Sequence, residues 1–439
     1  MTCRHSGTDA EIRRGIHRPR QARGKAWVLA LSLVAAASMA AQQAGGPASP
    51  PTRDDLPALP APGGGNSTTE KLTGCGKVEP FLSAGVFPQA KVLLITTPTG
   101  FLKQYSYPEF RLQGSFKFAS GPAYHAILDG KKSRLYAVMA GKQGGAPELH
   151  LFDVKEILEG EAESGAELRP ARKLSLAANI RQLLMTPDGR KLFCLSASEQ
   201  SSTSDARGSI PSGVKLSRVD AASMEVDAEA KLSDGTGSCC MAPDGKAIYV
   251  AGSTKPHSAD NFGPFDGFVQ LVDPATLQPR QRIDIDGDPF SLAATNDGLL
   301  FISGGSGDWT QITIVDTGKA TAVIARWTGI QMGSFVNVTP DGRRLCVSGP
   351  SGIDIFEIPT AVAGSRARKV ARFNDPGESG KSVPLCITPD SAFIISCGGE
   401  ILQLSTLRAK GTNDQRAPPK PGAPPCGVDG SIVVKPPGT

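Results

Sequence analysis

Between residues 90 and 405 the apolar positions come in short runs, and Pro, Asp, Asn and Gly stop each run before it reaches helix length. Residues 238–286 show the pattern in full. Residues 238–242 (SCCMA) lead into Pro243-Asp244-Gly245. Pro presets φ near about −65°, Asp bonds its own backbone, and Gly supplies the positive φ that closes a hairpin. Residues 247–251 (AIYVA) are strand formers, 253–266 read as a loop, and 267–272 (GFVQLV) alternate. After the turn at 273–276, residues 281–286 (QRIDID) are polar at every second position, as an exposed strand should be. This period of two predicts four antiparallel strands.

The unit repeats. Leu184-Met-Thr-Pro-Asp-Gly-Arg-Lys-Leu-Phe-Cys-Leu and Val338-Thr-Pro-Asp-Gly-Arg-Arg-Leu-Cys-Val carry the same turn, and its acidic residue recurs at Asp129, Asp188, Asp244, Asp297, Asp341 and Asp390. The spacings are 59, 56, 53, 44 and 49 residues. Self-similarity at about 40–60 residues, with several strands per unit, predicts an all-β fold, a β-propeller. Six units begin near Ala123, Ile180, Gly237, Phe290, Phe335 and Val383. Upstream, residues 91–97, 101–106 and 111–118 supply three strands of a further blade that lacks its inner strand. Residues 77–84 or 430–434 (GSIVV) are the candidates to fill it. The expectation is seven four-stranded blades, with six or eight as alternatives. The repeated aspartates read as turn caps, and residues 154–159 and 359–363 as single helical turns.

Met241-Ala-Pro-Asp-Gly-Lys-Ala-Ile-Tyr-Val-Ala followed by Val269-Gln-Leu-Val-Asp-Pro-Ala-Thr resembles the YVTN-type β-propeller repeat of prokaryotic exported proteins. Gly287-Asp-Pro-Phe-Ser-Leu-Ala-Ala-Thr-Asn-Asp-Gly is similar to that family's link between blades. The resemblance covers roughly residues 90–405 and departs from the WD repeat, since no unit ends in Trp-Asp. It implies a secreted or surface platform. Lactonase-like propellers share the pattern, but the resemblance carries no catalytic residue to this chain.

The ends explain the charge. Residues 1–40 join a basic stretch (Arg13 to Lys25) to an uncharged apolar run that ends in small residues, which predicts a signal peptide cleaved after Ala40. That leader holds seven Lys/Arg and two Asp/Glu; the chain has 47 and 42, so 40 of each sign remain. The excess of base belongs to the leader and gives no reason to expect nucleic acid. Residues 41–71 and 409–439, rich in Pro and Gly, read as a linker and a tail around a propeller at 72–408, the tail offering a closing strand near 430–434. Export predicts a secreted, periplasmic or cell-surface protein, membrane-bound only if the leader is retained, and monomeric.

Eight cysteines follow the leader's one. Cys386 and Cys397 flank one tight turn, and Cys75 and Cys426 lie at the two ends of the folded region, so both pairs are disulfide candidates. Candidate chemistry gathers in the loops after the second strands, at 196–213 and 253–267. The second holds Lys255, His257, Asp260, Asn261, Phe262, Phe265 and Asp266, a set able to face a small ligand or a cation. Asp288 lies in the next blade crossing. Only His125, His150 and His257 follow the leader, and no serine-hydrolase elbow, zinc-protease helix, phosphate loop or haem motif is present. The sequence therefore favours a non-catalytic platform for a protein or surface polysaccharide, with no cofactor. The alternative is a lactonase-like hydrolase holding Ca²⁺ in the channel.

Overall fold

The computed structural model describes residues 70–407, apart from 72–73, 140–145, 177–178, 199–210, 255–265, 288, 305–310, 319–322, 329, 331–333, 351, 374–383 and 405–406. Seven antiparallel sheets form seven blades in a ring. Their innermost strands are Ser83–Phe87, Ala123–Asp129, Asn179–Met185, Thr236–Met241, Pro289–Ala294, Phe335–Val338 and Leu385–Ile387. Each touches the next, and the seventh touches the first.

The first six blades run from inside to outside in chain order. The seventh is composite. Leu385–Ile387, Phe393–Ser396 and Glu400–Gln403 come from its own unit, and Gly74–Lys77 supplies the outermost strand, with Gly74 opposite Leu402 and Lys77 opposite Glu400. This corrects the expected gap. The first blade is complete, and the missing strand belongs to the last. Ser83–Phe87 was hard to read because its Ser-Ala-Gly start lacks bulky apolar residues. Packing demands that start: a Cβ on Gly85 would lie 2.5 Å from Leu128 Cδ1 of the second blade. Residues 430–434 lie outside the described residues.

Two blades gain a fifth, parallel strand that the pattern did not announce. Glu70–Lys71 pairs with Arg368–Phe373 of the sixth blade, and Glu167–Leu168 with Leu112–Phe118 of the first. The helical turn at 154–159 is present as the α-helix Lys155–Leu158. The one expected at 359–363 is absent, since those residues contain no helix.

The hairpin chemistry is as the repeat implies. Thr186 Oγ1 donates to Asp188 Oδ1 (2.6 Å), which also accepts the Arg190 N–H (3.0 Å). Asp341 and Asp390 repeat both bonds. Gly189, Gly245 and Gly342 take φ of 66°, 72° and 69°, and where the last repeat lacks the glycine, Ser391 adopts 58°. The acidic residue ending the third strand caps the next turn: Asp220 accepts from Ala222 and Ser223, and Asp273 from Ala275 and Thr276. These carboxylates are spent on backbone that would otherwise go unpaired.

The core is divided among the seams. Each of seven apolar clusters is shared by two neighbouring blades. Every seam also has a bond from one blade to the segment that follows the third strand of the next. Gln104 Nε2 donates to Ile157 O, the Tyr136 hydroxyl to Ala221 O, Arg218 to Pro274 O and Ala275 O, and Trp327 Nε1 to Ser365 Oγ. Tyr249 meets Thr317, and Arg344 donates to Leu404 O and Leu407 O, both at 2.8 Å. The closing seam uses Tyr107, whose hydroxyl donates to Asp390 Oδ2 at 2.5 Å. Burial alone would raise the Asp390 carboxyl; bonds from Thr388 and Tyr107 outweigh it and hold it below its ordinary value. Tyr107, Phe110 and Phe393 stack edge to face across the same seam. Tyr107→Phe keeps the ring and removes one bond to a charged group, so it should cost about 1.5–3 kcal/mol in urea unfolding. A loss under about 0.5 kcal/mol would show that the seam does not depend on this bond.

Candidate functional site

Two faces differ in construction. The hairpin turns joining first to second strands contain 4 to 6 residues in all seven blades. The loops from second to third strands contain 4, 8, 17, 12, 6, 2 and 3 residues in blade order. On the first face the acidic side chains cap turns. On the second, with the blade crossings, lie both loops singled out from the sequence.

Lys255, His257, Asp260, Asn261, Phe262, Phe265 and Asp288 lie outside the described residues, as do positions 199–210 of the other loop. Asp266 opens the strand Asp266–Val272, opposite Asp286 of the outer strand. Beside it a small recess between the fourth and fifth blades is lined by Asp286, Pro289, Ser303, Gln311 and neighbours, and Arg326 pairs with Asp286 at 2.8 Å.

The two described histidines do not converge. His125, in the second blade's inner strand, donates from Nε2 to Ile180 O (3.2 Å), and burial lowers it to about 4. His150, in the third strand of the same blade, binds Glu148 Oε2 at 2.8 Å; burial lowers it too, outweighing the carboxylate. Among the described residues no three His, Cys, Asp or Glu side chains come together as a metal site, and no helix is long and apolar enough to cross a membrane.

The described cysteines are free thiols. Cys386 lies opposite Ile395, so Cys397, two residues further along, is its diagonal neighbour on the same face. Diagonal partners stand about 7–8 Å apart, too far to bridge without backbone movement. Both thiols are buried at the closing seam, and burial pushes Cys386 up to about 12. Such thiols behave as small apolar groups. Cys75 is exposed on the closing strand, and Cys426 lies outside the described residues.

The inner ring has its own chemistry. An inner strand has one edge without a strand partner, and here side chains of one blade bond the backbone of the next. Ser83 Oγ donates to Ala126 O (2.8 Å), His125 bonds Ile180 O, and the Gln182 amide both donates to Cys239 O (2.6 Å) and accepts the Cys239 N–H (2.9 Å). Ser291 Oγ accepts the Val336 N–H (3.3 Å). Ser238, at the equivalent position of the fourth blade, has a buried hydroxyl with no partner among the described residues. In the second to fifth blades the residue just before this position is a β-bulge, unpaired in the ladder: Tyr124, Arg181, Gly237 and Phe290. In the sequence Gly237 and Phe290 stand only as starts of repeat units, and nothing marks Tyr124 or Arg181. Their only trace is two adjacent residues, such as Arg181-Gln182 or Tyr124-His125, that break strict alternation.

No family model matches the chain, and no curated protein does. Many solved structures share the fold. A chain of the mitotic checkpoint complex superposes with a TM-score of 0.52 at 12% identity, covering 85% of this chain and 99% of that one. A chain of Kuenenia stuttgartiensis hydrazine synthase gives 0.47 at 14% identity, covering 63% and 83%. At such identities the likeness speaks for architecture alone, and the chain is a seven-bladed β-propeller.

Proposed function

We propose that the chain is an exported propeller whose face of unequal loops binds a protein or a surface polysaccharide. The observation that carries this reading is the contrast in loop length. One face is built from uniform hairpins whose acidic groups are spent on turns. The other varies from 2 to 17 residues around the ring. Rigid scaffolds place recognition in such loops. The fold commonly serves as an interaction platform.

The test is replacement of 199–210 and 255–265 by short Gly-Ser links in the full chain. Both proteins are then used to capture material from a cell-envelope extract, split into protease-treated and polysaccharide-depleted halves. The loop-shortened protein should melt within about 2 °C of the parent, because loop length alters stability only slowly, and should lose the captured species. Equal capture by both proteins would refute the reading.

A further inference from the structure

We infer that the mouth of the inner ring binds a carboxylate group, with Arg181 as its charge partner, Tyr124 at the equivalent position of the preceding blade and the open position at Gly237 as the space it enters. The reading begins with the bulge. Ile180, Leu183 and Met185 pack toward the second blade. Leu184 packs toward the fourth, and Gln182 bonds the fourth blade's backbone. Arg181, the extra residue between Ile180 and Gln182, belongs to neither packed face. A bulge of this kind re-aims a side chain, and here the remaining direction is the ring axis.

Arg181 is half-buried and has no hydrogen bond or ion pair among the described residues. Burial, with no counter-charge, pushes its guanidinium below the ordinary value. A desolvated cation without a partner opposes folding, and most other arginines of this ring, Arg218, Arg280, Arg326 and Arg344 among them, are paired. The bulged residue of the second blade, Tyr124, also has an unshared polar group: burial alone raises its hydroxyl to about 12. At the bulge of the fourth blade, a Cβ added to Gly237 would meet nothing nearer than 4.0 Å. The fifth blade offers Phe290, which packs edge-on against Phe335 at 5.4 Å.

One guanidinium, one hydroxyl and free space at equivalent positions of three successive blades suit a planar monoanion. A carboxylate accepts both arms of the guanidinium fork. A phosphate dianion calls for more charge than the four bulge positions hold. A free small acid and a uronate sugar of a polysaccharide share this chemistry. The inference deepens the platform reading and rests on it for the choice of face.

Calorimetric titration of the full chain with galacturonate, tri-galacturonate and galactose tests it. Both acids should bind and galactose should not. Arg181→Gln should weaken the acids by roughly tenfold or more, the equivalent of one charge-assisted hydrogen bond, and should melt no lower than the parent, since an unpaired cation is removed. Tyr124→Phe should weaken them less. A tighter trimer marks a polysaccharide source and an equal monomer a free acid, both in support. The inference falls if galactose binds as well as galacturonate, if neither acid binds, or if Arg181→Gln binds unchanged. It also falls if that variant melts several degrees lower, which would make Arg181 structural. Galacturonate binding by a loop-shortened protein that captures envelope material like the parent would overturn the loop platform and leave this site standing.

Discussion

Trp327→Ala should lower the free energy of unfolding by about 3–5 kcal/mol, the range for truncating a large aromatic in a closed core. Trp327 is fully buried in the seam between the fifth and sixth blades, against Phe301 and Phe356. Its Nε1–H donates to Ser365 Oγ at 3.2 Å, so truncation leaves a cavity and removes a bond across this seam. Strands on both sides hold the walls apart, so relaxation recovers little. Trp327→Phe fills most of the space and should lose about half as much. Urea unfolding with an unchanged denaturant slope is the measurement. A loss under about 1 kcal/mol for the alanine variant would show that the seams are not the cooperative unit of this ring.

The second large effect is acid sensitivity. His125 is neutral and buried, lowered to about 4 against an ordinary 6.5. Its folded form binds fewer protons than its unfolded form between those values. Its contribution is therefore complete above pH 6.5 and is lost as pH falls toward 4, about 3 kcal/mol in all. His150 acts in the same direction. Carboxylates held low, such as Asp188 and Asp390, begin to act only near and below pH 4, so the windows separate. His125→Gln should flatten the profile, because the equivalent residue of the next blade, Gln182, already shows that an amide can bond a neighbouring inner strand. Equal slopes for the parent and His125→Gln between pH 6.5 and 4.5 would refute this assignment.

What the sequence displayed, and what it hid, follows from the range of each interaction. The hairpin turns were legible because Thr-Pro-Asp-Gly closes on itself within five residues: the Asp188 and Asp341 carboxylates accept bonds from a threonine and an N–H each two residues away. The blade count followed from repeating that local unit. The closing strand was not legible. Gly74-Cys-Gly-Lys77 has no apolar alternation and is largely exposed, and it is a strand only because Glu400–Gln403 offers it an edge. The inner strand of the first blade was obscured by small residues that the second blade requires. Of the candidate site, the sequence indicated a face and its two long loops. The bulges are a property of pairing register, visible only once Ile180 is seen opposite Ser196 and Gln182 opposite Leu195.

The composite last blade also sets an order of events during synthesis. Gly74–Lys77 leaves the ribosome more than three hundred residues before Glu400–Gln403, the strand it pairs with among the described residues. Until then Gly74–Lys77 lacks the edge it occupies in the ring, while the blades between close through local hairpins. Its docking is the longest-range event in the fold and should be the slowest. The nascent chain is thus an open arc that stays unclosed until its final repeat is made, and one of its first strands is among the last to be placed.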